Sequence, residues 1–345
     1  MKVGIAGIGF MGWIHWLAWQ KVPGVEIAAI CSRDPLKRSG DWTGIQGNFG
    51  PPGEQVDLTG IACYEHVDAM LADETLDLID VCLPPSLHSQ AAVAALQAGK
   101  HVLCEKPMAL TIASCDEMLA AAKSSQGRLL VGHVLPFFPE YAFVAELAQQ
   151  ETYGALLGGE FKRTVSDPTW VEGFFDSTVA GGPLIDLHVH DAHFIRALFG
   201  MPRGVTSKGR WRGDTVEYCA TLFDFDDPTL VVSACGGVIK QQGRPFTHSF
   251  EVQFERATVQ FDFSAFADDA ESMPLKVLTQ DGQVLRPDLG DGDMVNAFVA
   301  ELSETVSAVE NNQTTSILDG QLARDAIALC DAQTRSVKSG HSESL

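Results

Sequence analysis

The chain is poor in basic residues: Lys and Arg number 24 against 45 Asp and Glu, a formal net charge of −21 over 345 residues. So acidic a surface repels phosphate backbones and anionic lipids at long range, which sets aside nucleic-acid binding and attachment to a membrane surface. No two of the eight cysteines (Cys31, Cys63, Cys82, Cys104, Cys115, Cys219, Cys235 and Cys330) form a CxxC pair. Cys31, Cys82 and Cys104 sit in or beside apolar runs, where a free thiol behaves as a small hydrophobe. A disulfide framework is therefore not expected, and the scatter fits a reducing cytoplasm. Stretches of about 20 uncharged apolar residues without a glycine break are also missing, so no membrane span is expected. The apolar N-terminus is interrupted by Lys2, Gly4, Gly7, Gly9, Gly12 and His15 and lacks the small-residue cleavage site of a signal peptide. Repeats and low-complexity tracts are absent. Hydrophobic residues are plentiful, at 46% with 20% charged, which excludes general disorder. The length suggests two domains.

Residues 1–125 alternate strand and helix patterns. Apolar runs stand at 2–8, 25–31, 78–83 and 101–104, with helical patterns at 11–20 and 86–98 and Gly99 as a stop. Continuous apolar strands separated by helices predict an α/β, doubly wound parallel sheet covered on both faces. Residues 39–60 are rich in Gly and Pro and read as a surface insertion near the adenosine half of a dinucleotide. Beyond residue 125 strand-like runs dominate, at 159–165, 218–225, 230–234, 249–254, 257–263 and 275–279, and helical patterns at 294–310 and 321–337 close the chain. The expected division is 1–125, binding a dinucleotide, and 126–345, an α+β domain with a large, mainly antiparallel open sheet.

Gly7-Ile8-Gly9-Phe10-Met11-Gly12 follows the first strand and opens a helix. In that context Gly7 permits the tight turn, Gly9 leaves space for a pyrophosphate, and Gly12 lets helix and strand pack closely. The helix N-terminus adds free N–H groups and the positive end of a dipole. Gly7, Gly9, Phe10, Met11 and Gly12 are thus cofactor-binding candidates. Ser32 stands where an acid for the ribose 2′-hydroxyl is expected, and Arg33 follows it. A hydroxyl and a guanidinium suit a 2′-phosphate, which favours NADP over NAD. Asp34 is the competing residue for NAD, with an alternative role as helix N-cap ahead of Pro35.

Glu105-Lys106-Pro107 ends the run at 101–104. Ligands of a doubly wound sheet lie outside the carboxyl ends of its strands, so Lys106 is expected to face the cofactor crevice. In an ordinary loop it would be a solvated charge. A second motif runs from Gly181 to His193 within a helical pattern that continues to Phe199 and stops at Gly200. On an α-helix Asp186, His190 and His193 share one face at i, i+4 and i+7. An Asp one turn before a His fixes its tautomer or raises its pKa, fitting His190 for general acid–base work near neutral pH. His188, His190 and His193 also suggest zinc, but HxH on a helix points its side chains about 200° apart and the run lacks HExxH, so no metal is expected.

Together GIGFMG at 7–12, LPPSLH at 83–88, EKP at 105–107, GGxxxDxxxHD from Gly181 to Asp191 and ARDAIAL at 323–329 resemble the glucose–fructose oxidoreductase / inositol dehydrogenase family over nearly the whole chain. The resemblance implies a Rossmann domain joined to a substrate-binding domain whose open sheet commonly mediates dimers or tetramers, hence a homo-oligomer. It implies hydride transfer between NAD or NADP and a carbinol or ketone carbon of a sugar, cyclitol or related polyol. Lys106 matches the lysine that hydrogen-bonds the reacting oxygen, His190 the proton donor or acceptor, and Asp186 its partner. Leu83, Pro84, His88 and Glu105 match cofactor-binding positions, and the Lys106–Pro107 bond is often cis in relatives. Arg163 and Trp170 lie where relatives line the substrate pocket. His188 and His193 take no role from the resemblance. Two alternatives share the fold: a glycosidase driven by transient oxidation, and a non-enzymatic nucleotide sensor. The intact set Lys106, Asp186 and His190 argues against the sensor.

Overall fold

Six short apolar segments pair in parallel to build the first sheet of the structure, a computed structural model that describes residues 1–169, 173–290, 292–312 and 315–345. They are β1 (Lys2–Ala6), β2 (Glu26–Cys31), β3 (Ala62–Tyr64), β4 (Leu78–Val81), β5 (His101–Glu105) and β6 (Leu129–Gly132), in the order β3-β2-β1-β4-β5-β6. Val3, Ile5, Leu78, Ile79, Val102 and Leu103 are fully buried, as strands covered by helices on both faces require. Helices α1 (Phe10–Trp19), α2 (Pro35–Arg38), α3 (Val67–Leu71), α4 (His88–Gln97) and α5 (Ile112–Ser124) lie in the connections. The strand order reverses at β1 and β4, which opens a crevice at their carboxyl ends.

The second sheet has nine strands: β7 (Leu156–Ser166), β8 (Gly204–Arg212), β9 (Thr215–Asp224), β10 (Val231–Ile239), β11 (Phe246–Phe254), β12 (Ala257–Ala265), β13 (Ala270–Thr279), β14 (Val284–Leu285) and β15 (Glu343–Ser344). Their order is β14-β13-β12-β11-β7-β10-β9-β8-β15. Among the described strands β7 and β10 pair in parallel and every other pair is antiparallel. Helices α6 (Pro139–Gln149) and α7 (Val189–Phe199) precede and follow β7, and α8 (Met294–Glu310) and α9 (Gly320–Ser339) come after β14 and before β15. Both sheet types expected from the sequence are present. No helix among the described residues is long and apolar enough to cross a membrane.

Two features differ from the sequence reading. Residues Met1–Phe137 form one compact unit with Gly292–Arg324, and Phe138–Asp291 form another with Asp325–Leu345. The first unit therefore extends beyond 1–125. It takes in β6, and also α8, because Phe298 of α8 packs on His15 of α1 with ring centroids 5.7 Å apart. The 39–60 segment is not a bare surface insertion either. Trp42 is fully buried, edge-on to Trp13 at 5.9 Å and Trp16 at 4.9 Å. Trp13 Nε1 donates to the Pro51 carbonyl at 2.9 Å and Trp42 Nε1 to the Lys37 carbonyl at 2.8 Å. The segment shares an aromatic core with α1, and the Trp13 and Trp42 indole N–H groups are both satisfied as burial demands.

Candidate active site

The three glycines of the first turn divide by what surrounds them. Gly7 has φ +102°, and a Cβ there would stand 2.5 Å from the Cys82 carbonyl oxygen. A Cβ on Gly12 would stand 2.1 Å from the Gly7 oxygen. Both glycines are demanded by the protein's own packing. Gly9 is not, since a Cβ there would meet nothing within 4 Å. Gly9 is the N-cap of α1, which has no side-chain cap and no acid in its first turn. Its terminal N–H groups and the positive dipole end are therefore available to an anion, and the room beside Gly9 fits a dinucleotide phosphate. Phe10 and Met11 follow, half-buried, and the Phe10 ring meets Phe49 edge-on at 4.8 Å.

At the carboxyl end of β2, the Ser32 hydroxyl accepts from the Asp34 N–H at 3.3 Å and Arg33 is exposed. The Asp34 carboxylate accepts from Leu36 N–H at 2.9 Å with Pro35 in the first helical turn, so it caps α2. Sequence reasoning missed Arg38, whose Nη1 donates to the Ser32 carbonyl at 2.7 Å and which pairs with Glu65 at 3.3 Å.

Leu83 and Pro84 follow β4. The buried His88 ring joins this turn to the next: Nδ1 lies 2.8 Å from the Pro107 oxygen and Nε2 2.7 Å from the Leu83 oxygen. Burial holds its pKa below the ordinary histidine value against these two carbonyls. The Lys106–Pro107 bond is cis. Lys106 is half-exposed between buried neighbours. Glu105 is 4% exposed, and its Oε2 accepts from the Lys106 N–H at 3.0 Å.

Beneath this turn lies a buried ionic chain that sequence reasoning also missed. Glu105 Oε1 is 3.0 Å from His15 Nε2, His15 Nδ1 is 2.9 Å from Asp80 Oδ2, and Trp19 Nε1 donates to the same Asp80 oxygen at 2.7 Å. His15 and Asp80 are fully buried. Burial pulls the His15 pKa down, but the Asp80 carboxylate outweighs it, and the imidazole stands well above its ordinary value. A signal was available: Asp80 interrupts the apolar run LIDVCL, and a carboxylate in a buried strand needs a partner.

In the second unit, residues Leu184–His188 form a π-helical turn leading into α7, closed by the Val189 N–H on the Leu184 carbonyl. The widened turn offsets Asp186 from the α-helical register that follows. Asp186 and His190 are half-exposed one turn apart, whereas His193 and His188 are fully buried. Of the three residues expected on one face, Asp186 and His190 are thus half-exposed and His193 is interior. His188 Nε2 receives the Gln333 amide at 2.9 Å, and Gln333 also donates to Thr221 at 2.9 Å. Arg163, expected in a substrate pocket, is instead 4% exposed. Its Nε and Nη2 donate to the two Asp191 oxygens at 3.0 and 3.1 Å, and Nη2 reaches the Tyr141 hydroxyl at 3.3 Å. Geometry makes it an anchor for α7. Trp170 lies outside the described residues. Metal-compatible groupings among the described residues centre on His15 and include none of His188, His190 and His193.

The family model described as "Oxidoreductase family, NAD-binding Rossmann fold" matches residues 1–133, and that described as "GFO/IDH/MocA C-terminal domain" matches residues 141–260. The chain belongs to this oxidoreductase family. The family's N-terminal match contains every cofactor-binding candidate from Gly7 to Lys106, and its C-terminal match contains Arg163, Asp186 and His190. D-apiose dehydrogenase from Paraburkholderia graminis is 29% identical over 213 residues, 58% of this chain and 50% of that protein. A glycosyl hydrolase family 109 protein from Shewanella amazonensis is 29% identical over 166 residues, 46% of this chain and 34% of that protein. The chain spans about half the length of the curated relatives it matches. Levoglucosan dehydrogenase in complex with NADH and levoglucosan has a TM-score of 0.80 at 20% identity, covering 100% of this chain and 99% of that chain. At that identity the likeness is one of fold.

Proposed function

We propose that the protein transfers hydride between NAD(P) and a carbinol or ketone carbon of a sugar, cyclitol or related polyol. The observation that carries this reading is the open space beside Gly9 at the uncapped start of α1, in a sheet where β5, separated from β1 by β4 alone, ends at Glu105 just before Lys106. The relatives named for D-apiose and levoglucosan support the substrate class. Gly7, Gly9, Phe10, Met11 and Gly12 would hold the pyrophosphate end, and Leu83, Pro84, His88 and Glu105 the nicotinamide end. The cofactor supplies the hydride acceptor or donor. Lys106 stabilises the developing alkoxide with its ammonium, and His190, oriented by Asp186, takes the hydroxyl proton in oxidation and returns it in reduction. We assign NADP as the preferred cofactor on Ser32 and Arg33, since the competing Asp34 is committed to capping α2. Unit 1 is read as the dinucleotide domain, and unit 2 as the substrate and homo-oligomer domain. Leu222 and Val231, 53% and 64% exposed on its sheet, support assembly into a dimer or tetramer. Eight unpaired thiols support a cytoplasmic location.

The test is a panel of sugars, cyclitols and their keto forms with both cofactors, read at the reduced-nicotinamide absorbance. Lys106→Ala and His190→Ala should each cut turnover by about 10²-fold or more while NAD(P)H still binds. Near-normal turnover in either variant removes that residue from the mechanism. The glycosyl hydrolase relative supports a second reading, hydrolysis driven by transient oxidation. It requires cofactor but accumulates no NAD(P)H, so net reduction separates the two.

A further inference from the structure

Glu301 is fully buried, and neither of its carboxyl oxygens has a hydrogen-bond partner among the described residues. It follows Phe298 by three residues on α8, and Phe298 packs on the His15 ring, so one face of α8 turns both toward α1. A Glu301 oxygen, a Glu105 oxygen and a His15 ring nitrogen all lie within 4.8 Å of one another. The charged groups that face Glu301 are His15 from α1, Asp80 from β4 and Glu105 from β5. Beside them the Cys82 thiol reaches Asp80 at 3.5 Å.

Charge balance decides the state of Glu301. Both His15 ring nitrogens are already engaged, Nδ1 with Asp80 and Nε2 with Glu105. An imidazolium between two carboxylates leaves one net negative charge out of water. Ionising Glu301 would make it two, with no N–H left in the network to receive the second. Burial, then the Glu105 charge, push the Glu301 pKa well above the ordinary carboxyl value, with His15 opposing. The engaged His15 nitrogens also leave no ring donor for a metal ion. We propose that Glu301 stands as a neutral carboxylic acid and serves as a positioning residue, holding Glu105 on His15 and the Lys106 backbone N–H. Its kinetic consequence rests on the Lys106 role in the proposed function, whereas its protonation state does not.

The experiment is denaturant unfolding of the full chain, wild type against Glu301→Gln, across the acid-to-neutral range. A carboxyl protonated in the fold ionises on unfolding, so above its ordinary value of 4.5 the folded state holds one proton more. The folding equilibrium constant of wild type relative to Glu301→Gln should then fall by up to tenfold per pH unit. Should the amide variant fail to fold, Glu301→Met, equally unable to ionise, is compared in the same way. A ratio that does not vary with pH overturns the proposal. So does stoichiometric metal in purified wild type that is lost from the variant. In turnover, Glu301→Ala should lower kcat with KM for the nicotinamide cofactor held, and Glu301→Gln should recover part of the loss; equal kcat in all three overturns the positioning role. If wild type reduces no cofactor with any substrate, the proposed function falls while the pH-dependent ratio still upholds the neutral acid, so the two readings fail separately.

Discussion

Replacing His15 by Ala should cost the first unit a large share of its stability, mainly for electrostatic reasons. The imidazole lies between Asp80, fully buried, and Glu105, 4% exposed, at 2.9 and 3.0 Å. Its removal strands two carboxylates away from water. Breaking a buried pair by deleting one partner costs about 3–5 kcal/mol, and the lost ring contact with Phe298 adds to it. In a domain of this size each kcal/mol moves Tm by about 2–4 °C, so a drop of roughly 6–20 °C is expected. The pH dependence has a definite sign. His15 is raised above its ordinary value of 6.5 in the fold, so the folded state keeps a proton that the unfolded state releases. The stabilisation is fully present below 6.5 and is lost as pH rises through the folded-state value. Differential scanning calorimetry of both proteins at about pH 6 and about pH 9 should show a wide gap at the lower pH and a narrower one at the higher. A loss under about 1 kcal/mol, or a gap that widens with pH, would refute the idea that His15 is a buried cation.

Arg33→Ala should remove a preference for NADPH over NADH, because a charge-assisted phosphate contact is worth about 1.5–3 kcal/mol; equal affinities in wild type by fluorescence titration would reverse the assignment. Gly9→Ala should leave the apo protein's Tm unchanged, since its Cβ meets nothing within 4 Å, yet weaken NAD(P)H binding. Gly12→Ala should instead lower Tm, because its Cβ would stand 2.1 Å from the Gly7 oxygen. Similar behaviour of the two variants would mean that the loop is shaped by packing alone.

The legible parts of the chain were those in which one local rule governs a whole element. Buried parallel strands read as apolar runs, and α1, α4 and α8 were foreseeable from period and stop signals. β3 escaped because three residues, Ala62–Tyr64, carry no period. The 39–60 segment was misread because its glycines and prolines hide Trp42 and Ile45, both buried. Glu301 had left a trace: Phe298, Glu301, Leu302 and Thr305 fall at i, i+3, i+4 and i+7, so a carboxylate stands in the buried stripe of α8. What it faces depends on pairings far apart in sequence, and no local pattern encodes those. The π-turn at Leu184–His188 was invisible for a related reason, since an α-helical template assigns every residue the same angular step.

The two proposed catalytic side chains share a design that explains why their neighbours are acidic. Glu105, just before Lys106, is buried and tied to His15. Asp191, just after His190, is buried and held on both oxygens by Arg163. In each case the half-exposed reactive residue hangs from a backbone whose adjoining residue is fixed by a buried ion pair. A solvated acid could not do this, because an exposed pair is worth about 0–1 kcal/mol and would leave the adjacent peptide free to rotate. Buried pairs add little net stability over apolar packing, but losing a partner is costly, so they restrict the backbone to one geometry. On this reading EKP and the paired HD are each one reactive residue with its own adjoining anchor, and the acidic residue is set by the reactive residue's need for a fixed position.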